Sequence, residues 1–128
     1  MDTKNPDSMH KILVVDDEKS IREVIYDFLT MEGYSVTTAD DGMNALKVLQ
    51  GTSFDLMIVD LVMPNIGGAE ILDWLSRENL KIPSLVISGL PLENLKEDLR
   101  KRGAFDCIPK PFQLKHLSHM VQVGLNQE

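Results

Sequence analysis

The chain reads as a doubly wound α/β fold, a (βα)5 unit with five parallel strands in the order 2-1-3-4-5 and helices on both faces. Three observations predict it. Strand-like apolar runs alternate with helix-period patterns, joined by short connections, and such alternation builds a parallel sheet covered on both sides. The run FDLMIVD is apolar on both faces, as a central parallel strand should be. Pro109 falls inside the last apolar run, where it would interrupt an interior ladder, so that strand belongs at an edge.

Each element has its own signals. KILVVD, from Lys11, is the first strand. SIREVIYDFLTMEG follows as a helix, with Ile21, Val24, Ile25, Phe28 and Leu29 on one face. Ser20 fits the N-cap, Glu23 completes a capping box, and Gly33 supplies the stop. YSVTTA is the second strand. DDGMNALKVLQG is a short helix that starts near Asp41-Gly42 and turns Ala45, Leu46 and Leu49 inward. FDLMIVD is the third strand and GAEILDWLSREN the third helix. IPSLVIS is the fourth strand, and LENLKEDLRKRG the fourth helix with Leu92, Leu95 and Leu99 inward.

AFDCIP is the fifth strand, and a helix from Gln113 to about Asn126 closes the chain. Leu114, Leu117, Val121 and Leu125 face inward on it. Met120 and Val123 fall off that stripe. They are either an exposed patch beside the fourth helix and fifth strand, suited to a homodimer or a partner, or part of a wider buried face. His116 and His119 are read as a solvated face rather than metal ligands.

At 128 residues the chain suits one domain with a sizeable core. The expected boundaries are a flexible N-terminal tail at 1–10, the folded domain at 11–126, and a C-terminal end or linker start at 127–128. The tail, MDTKNPDSMH, is polar and lacks the apolar centre of a signal peptide. No apolar run has the length of a membrane span, so no membrane association is expected. Cys107 is the single cysteine, which permits no internal disulfide and makes a reducing, cytoplasmic setting the expectation. The formal net charge of −7 opposes nucleic-acid binding by this segment, because phosphate contacts need a basic face.

In a doubly wound sheet, ligands bind at the carboxyl ends of the strands, near the switch in strand order. The first strand runs into Asp16-Asp17, the third ends in Asp60, the fourth ends in Ser88, and the fifth runs into Lys110-Pro111. This strand order brings all of them to one cleft. Carboxylates from two neighbouring strands make a hard oxygen site suited to Mg²⁺, with Mn²⁺ a second candidate. The ion would neutralise charges that otherwise repel. Lys110 adds a phosphate-pairing ammonium and Ser88 a hydroxyl. Together they form a phosphoryl-transfer site in which one carboxylate can be the nucleophile. Glu18 either acts through water or adds negative field. Asp40, Asp41, Asp55 and Asp106 are read as structural.

VVDDE, DLMIVDLVMPNIGG, LVISG and CIPKPF occur in this order and spacing over roughly residues 11–126. On these motifs the chain resembles a response-regulator receiver domain of two-component signalling, the CheY-like superfamily with its flavodoxin-like fold. The resemblance implies that Asp60 is the phosphoacceptor. It implies that Asp16, Asp17, Asp60 and the backbone carbonyl of Val62 hold Mg²⁺, that Lys110 pairs with the phosphoryl group, and that Ser88 hydrogen-bonds it. The implied donor is a phosphohistidine on a sensor histidine kinase or phosphotransfer protein. Output would pass through the surface near the fourth helix, fifth strand and last helix. Such a domain is not an enzyme in the ordinary sense; it assists its own phosphorylation and slow dephosphorylation.

Departures from the family pattern set further expectations. Cys107 stands where many receivers carry Tyr or Phe, and reads as a small buried hydrophobe that cannot present a ring. Gly67 replaces an acid in the MPNIGG turn, which predicts a looser turn without a helix cap. Val62 and Leu90 flank the site with apolar side chains that cannot orient attacking water, which predicts a long-lived phosphoryl group. The competing reading is a phosphorylation-independent pseudo-receiver on the same fold; the complete Asp16, Asp17, Asp60, Ser88 and Lys110 set opposes it. A flavin carrier would need a phosphate-binding loop after the first strand, where this chain is acidic.

Overall fold

The computed structural model describes residues 9–126. Its elements are β1 (Lys11–Val15), α1 (Lys19–Met31), β2 (Ser35–Ala39), α2 (Gly42–Gly51), β3 (Leu56–Asp60), α3 (Gly68–Arg77), β4 (Ser84–Ser88), α4 (Lys96–Lys101), β5 (Ala104–Pro109) and α5 (Leu114–Leu125). The sheet order is β2-β1-β3-β4-β5 and every pair is parallel, as the alternation predicts. Pro109 ends an edge strand, where its missing N–H breaks no interior ladder. Most of the expected N-terminal tail, and residues 127–128, lie outside the described residues. His10 already meets the fold: its carbonyl accepts from Ser35 N–H at 2.9 Å.

Side chains alternate between the two faces of each strand, and two core layers result. Leu13, Val15, Met57, Val59 and Val86 point to one face, under Leu49 of α2, Ile71 and Leu75 of α3, and Leu99 of α4. Ile12, Val14, Leu56, Ile58, Leu85 and Ile87 point to the other, under Ile25 and Leu29 of α1 and Leu117 and Val121 of α5. β3 and β4 are buried at every position, which accounts for their unbroken apolar runs.

Several local expectations change. The N-cap of α1 is Glu18, not Ser20, and its side chain makes no capping bond. Val24 is half exposed, because it lies at the margin of the stripe centred on Ile25 and Leu29. Gly33 does stop α1: it takes φ +100°, with Gly33 N–H bonded to the Thr30 carbonyl and Tyr34 N–H to the Leu29 carbonyl. That pair of bonds is a Schellman closure, and its left-handed residue favours glycine. α4 is shorter than expected, because the Leu92 carbonyl accepts from both Leu95 and Lys96 N–H, forming a turn before the helix begins. Met120 is buried and Val123 half-buried, so for Met120 the wider buried face is the correct reading. His116 and His119 are exposed.

Candidate functional site

The sheet delivers one functional group from each of four strand ends. β1 runs into Asp16, which is fully buried, and into Asp17, which is exposed. β3 ends at Asp60, 4% exposed, on the strand beside β1. β4 ends at the buried Ser88, and β5 leads into Lys110, followed by a cis Lys110-Pro111 bond. The backbone fixes these ends to one another. Lys110 N–H donates to the Ser88 carbonyl at 2.7 Å, and Leu61 N–H donates to the Ile87 carbonyl at 2.9 Å. Asp16 N–H donates to the Ala39 carbonyl at 3.2 Å. The structure therefore brings together Asp16, Asp17, Asp60, Ser88 and Lys110 at the carboxyl edge, with Asp40 and Asp41 beyond β2.

The Lys110 ammonium is the hub. Its Nζ lies 2.8 Å from Glu18 Oε1, 2.9 Å from Asp60 Oδ2 and 3.2 Å from Asp16 Oδ2. Burial alone would lower its pKa. The hydrogen bonds to Glu18 and Asp60, with the charges of Asp16 and Asp60, outweigh that and hold it above the usual lysine range. Asp16 moves the other way from an ordinary carboxyl: burial raises its pKa, and the nearby Asp60 charge adds to the rise. The Glu18 N–H bond to Asp16 Oδ1 and the Lys110 charge oppose this without reversing it.

The residues fit a divalent cation. Asp16, Asp17 and Asp60 each offer one carboxylate oxygen, all within 4.8 Å of one another. Asp16 Oδ2 is buried without a regular hydrogen bond, and the Lys110 ammonium lies 3.2 Å from it. A buried acceptor left unsatisfied costs free energy, and a cation removes that cost. The all-oxygen, partly solvated donor set matches Mg²⁺ or Mn²⁺ rather than a softer metal. Asp60 Oδ1 accepts only a long 3.4 Å bond from Val62 N–H, leaving it available.

Around this cluster the surface is open. Val62 and Leu90 are 57% and 48% exposed, and Leu90 N–H donates to Ser88 Oγ at 2.9 Å. A groove of about 480 Å³, lined by Leu75, Leu80, Ile82, Pro83 and Phe105 among others, lies at the opposite end of β4 and shares no residue with the cluster. The acidic cluster thus lies at the carboxyl edge of the sheet, beside the exposed side chains of Val62 and Leu90.

The turn after Asp60 corrects one expectation. Gly67 does not loosen it. A Cβ there would lie 2.6 Å from the Leu61 carbonyl oxygen, and one on Gly68 would lie 2.7 Å from that of Asp60. The Gly67 N–H is capped instead by Glu70 Oε1 at 2.6 Å, so the cap reaches back from inside α3. Asp41 caps α2, accepting from Asn44 N–H at 2.8 Å, while Asp55 accepts from Lys11 N–H and Asp106 pairs with Lys96 and Arg100, all structural roles. Cys107 is buried in the core layer beneath α3 and α4, and burial, then the Asp106 charge, pushes its thiol up. The sequence reading missed the Glu18–Lys110 contact. Glu18 was visible as an acid beside two aspartates, but nothing local shows that it spans 92 residues to a lysine.

Comparison with known proteins gives the family of the chain. The family model for the response regulator receiver domain matches residues 12–122. The chain is 42% identical over 103 residues to response regulator RR06 of Streptococcus pneumoniae, covering 80% of this chain and 47% of that protein. It is 34% identical over 122 residues to the probable transcriptional regulator ycf27 of Cyanidium caldarium, covering 95% of this chain and 49% of that one. The chain thus spans about half the length of these relatives. Among solved structures, the chemotaxis response regulator CheY4 of Vibrio cholerae superposes with TM-score 0.86 at 33% identity, covering 91% of this chain and 99% of that one. The receiver domain of NtrX from Brucella abortus superposes with TM-score 0.85 at 30% identity, with the same coverage. With the strand order, the acidic cluster and the family match in agreement, the chain belongs to the response regulator receiver domain family of two-component signalling.

Proposed function

We propose that this receiver domain accepts a phosphoryl group on Asp60 from a phosphohistidine of a sensor histidine kinase or phosphotransfer protein. An Asp60 carboxylate oxygen forms the new O–P bond as the N–P bond to the donor imidazole breaks. The imidazole nitrogen keeps the electron pair. Asp16, Asp17, Asp60 and the backbone carbonyl of Val62 would hold Mg²⁺, which supplies neutralising charge when bound. Lys110 stands ready to pair with the phosphoryl oxygens, and Ser88 to hydrogen-bond one of them.

One observation carries this reading: the Lys110 ammonium lies against Asp60 beside a buried, unsatisfied Asp16 oxygen. A structural ion pair needs no third and fourth carboxylate. A phosphoryl site with a cation does. The pseudo-receiver alternative has no such use for the cluster, and the tight Gly67 turn removes one of its supports. Under the leading reading the domain is an acceptor rather than an enzyme with turnover. Its output face is the surface over α4, β5 and α5, where a homodimer would also form. Among the described residues no helix is long and apolar enough to cross a membrane. A histidine-kinase donor places the domain in the cytoplasm, and the acidic segment is not itself the nucleic-acid reader.

The test is incubation with Mg²⁺ and acetyl phosphate, followed by intact mass. Wild type should gain one phosphoryl group and Asp60→Asn none. A wild type with bound Mg²⁺ that gains none, even from a competent kinase, would overturn the reading.

A further inference from the structure

Glu18 occupies the N-cap of α1 in extended conformation, φ −89° and ψ 112°, yet its side chain makes no cap hydrogen bond. Acidic side chains at helix starts are ordinarily drawn to the free N–H groups there. This one reaches out instead and places Oε1 2.8 Å from Lys110 Nζ.

An ammonium has three N–H donors. Around Lys110 stand Glu18 at 2.8 Å, Asp60 at 2.9 Å and Asp16 at 3.2 Å. Two of its N–H donors are committed, to Glu18 and Asp60, and the Asp16 carboxylate stands beside the third. To turn more than one donor onto a phosphoryl group arriving on Asp60, the ammonium must release a partner. Withdrawing Lys110 from Asp16 or Asp60 would leave a buried carboxylate less compensated, since their side chains are 0% and 6% exposed. The Glu18 side chain is 56% exposed and is re-solvated at little cost.

Resting on the phosphoacceptor reading above, we propose that Glu18 is a positioning residue. It holds the Lys110 ammonium at the mouth of the resting site and competes with the phosphoryl group for it, so that Glu18 lowers the rate at which the domain accepts phosphate. The competition is a matter of reach as well as charge. An aspartate at this position keeps the charge, but its carboxylate is one methylene shorter and falls short of Lys110. From the N-cap position it can turn onto the free N–H groups of α1 instead.

That difference supplies the test. Wild type, Glu18→Asp, Glu18→Gln and Glu18→Ala are incubated with saturating Mg²⁺ and sub-saturating acetyl phosphate, and the rate of mass gain is timed. Melting temperature is recorded in parallel without phosphodonor. Glu18→Asp and Glu18→Ala should both be phosphorylated about two- to five-fold faster than wild type, the span of an exposed ion pair. Glu18→Gln, which keeps an uncharged acceptor for Lys110, should fall between. Glu18→Asp should also melt higher. If Glu18→Asp matches wild type while Gln and Ala are faster, Glu18 acts only through its field and the proposal is overturned. Equal rates for all four, or slower variants, overturn it as well. A wild type that takes no label overturns the phosphoacceptor reading and this inference with it, whereas a labelled wild type matched by its variants overturns this inference alone.

Discussion

Lys110 Nζ lies 2.9 Å from Asp60 Oδ2, although β3, which ends at Asp60, and β5, which leads into Lys110, do not touch. β4 lies between β3 and β5. Lys110 N–H is anchored to the Ser88 carbonyl, at the end of the intervening strand, and its side chain spans that strand to Asp60. Carboxylate, hydroxyl and ammonium are thereby fixed by one sheet edge rather than by a flexible loop, the kind of preorganisation that the proposed phosphoryl transfer would use.

The acidic cluster holds one poorly satisfied buried carboxylate. Asp16 is buried, its Oδ2 has no hydrogen bond, and Asp60 is nearby. Asp16→Asn should therefore make the metal-free domain more stable, by on the order of 1 kcal/mol, the scale of relieving one buried unsatisfied acceptor. The same change should weaken Mg²⁺ binding by about tenfold or more. Urea denaturation in chelator and calorimetric Mg²⁺ titration read the two effects. A variant less stable than wild type in chelator would contradict the account.

Gly68 packs against the backbone of Asp60, the proposed phosphoacceptor. A Cβ there would lie 2.7 Å from the Asp60 carbonyl oxygen and 3.1 Å from Leu61 Cα. Gly68→Ala should cost about 1–3 kcal/mol, the usual range for overpacking. It should also displace Asp60 enough to slow phosphorylation. An alanine variant within about 0.5 kcal/mol of wild type and equally fast would show that the turn relaxes freely.

Cys107 gives a pH-dependent signature. Its thiol is pushed above its ordinary value of 9.0, chiefly by burial. The unfolded chain therefore releases this proton at lower pH than the folded one, so the stabilisation is full below 9.0 and is lost as pH rises through the folded pKa. Cys107→Ala, which is not ionisable and adds no bulk to the core, should hold a constant offset from wild type below pH 8 and gain on it above 9.0. Equilibrium unfolding of both proteins across that range is the check; parallel curves throughout would refute it. For the same reason, alkylation of the native thiol at pH 8 should be slow compared with the unfolded chain.

Val62 and Leu90 stand exposed at the rim, 57% and 48%, and neither side chain can hydrogen-bond water. Once formed, the aspartyl phosphate should persist for minutes or longer under Mg²⁺. Polar residues at these positions, as in Val62→Asn with Leu90→Glu, should shorten it several-fold. Loss of label from purified phosphoprotein measures this. A wild-type lifetime of seconds, unchanged by substitution, would count against the idea.

Much of this was legible in the chain. Unbroken apolar runs marked β3 and β4 as central, Pro109 marked β5 as an edge, and Gly33 marked the end of α1. The site residues stood out because each followed an apolar run, and this topology gathers strand ends. Local errors fell where neighbours outside the element decide. Ser20 had the chemistry of a cap, but the chain enters α1 two residues earlier, at Glu18. Met120 lay off the helical stripe but is covered by the second core layer. Gly67 suggested freedom in isolation, whereas the Leu61 carbonyl packs against it.

By itself the sequence determined the strand–helix alternation, the order of the elements, and which acids, hydroxyl and lysine would meet at the carboxyl edge. These follow from hydrophobic periodicity, which short stretches set, and from the doubly wound sheet that strand–helix alternation builds. Only the tertiary structure decided how the charges divide among partners: that Asp16 is buried with one oxygen unsatisfied, and that Glu18 leaves its own helix to take hold of Lys110. Those outcomes depend on burial and on distances across 92 residues of chain, and electrostatic interaction depends on both far more steeply than on the identity of the residues.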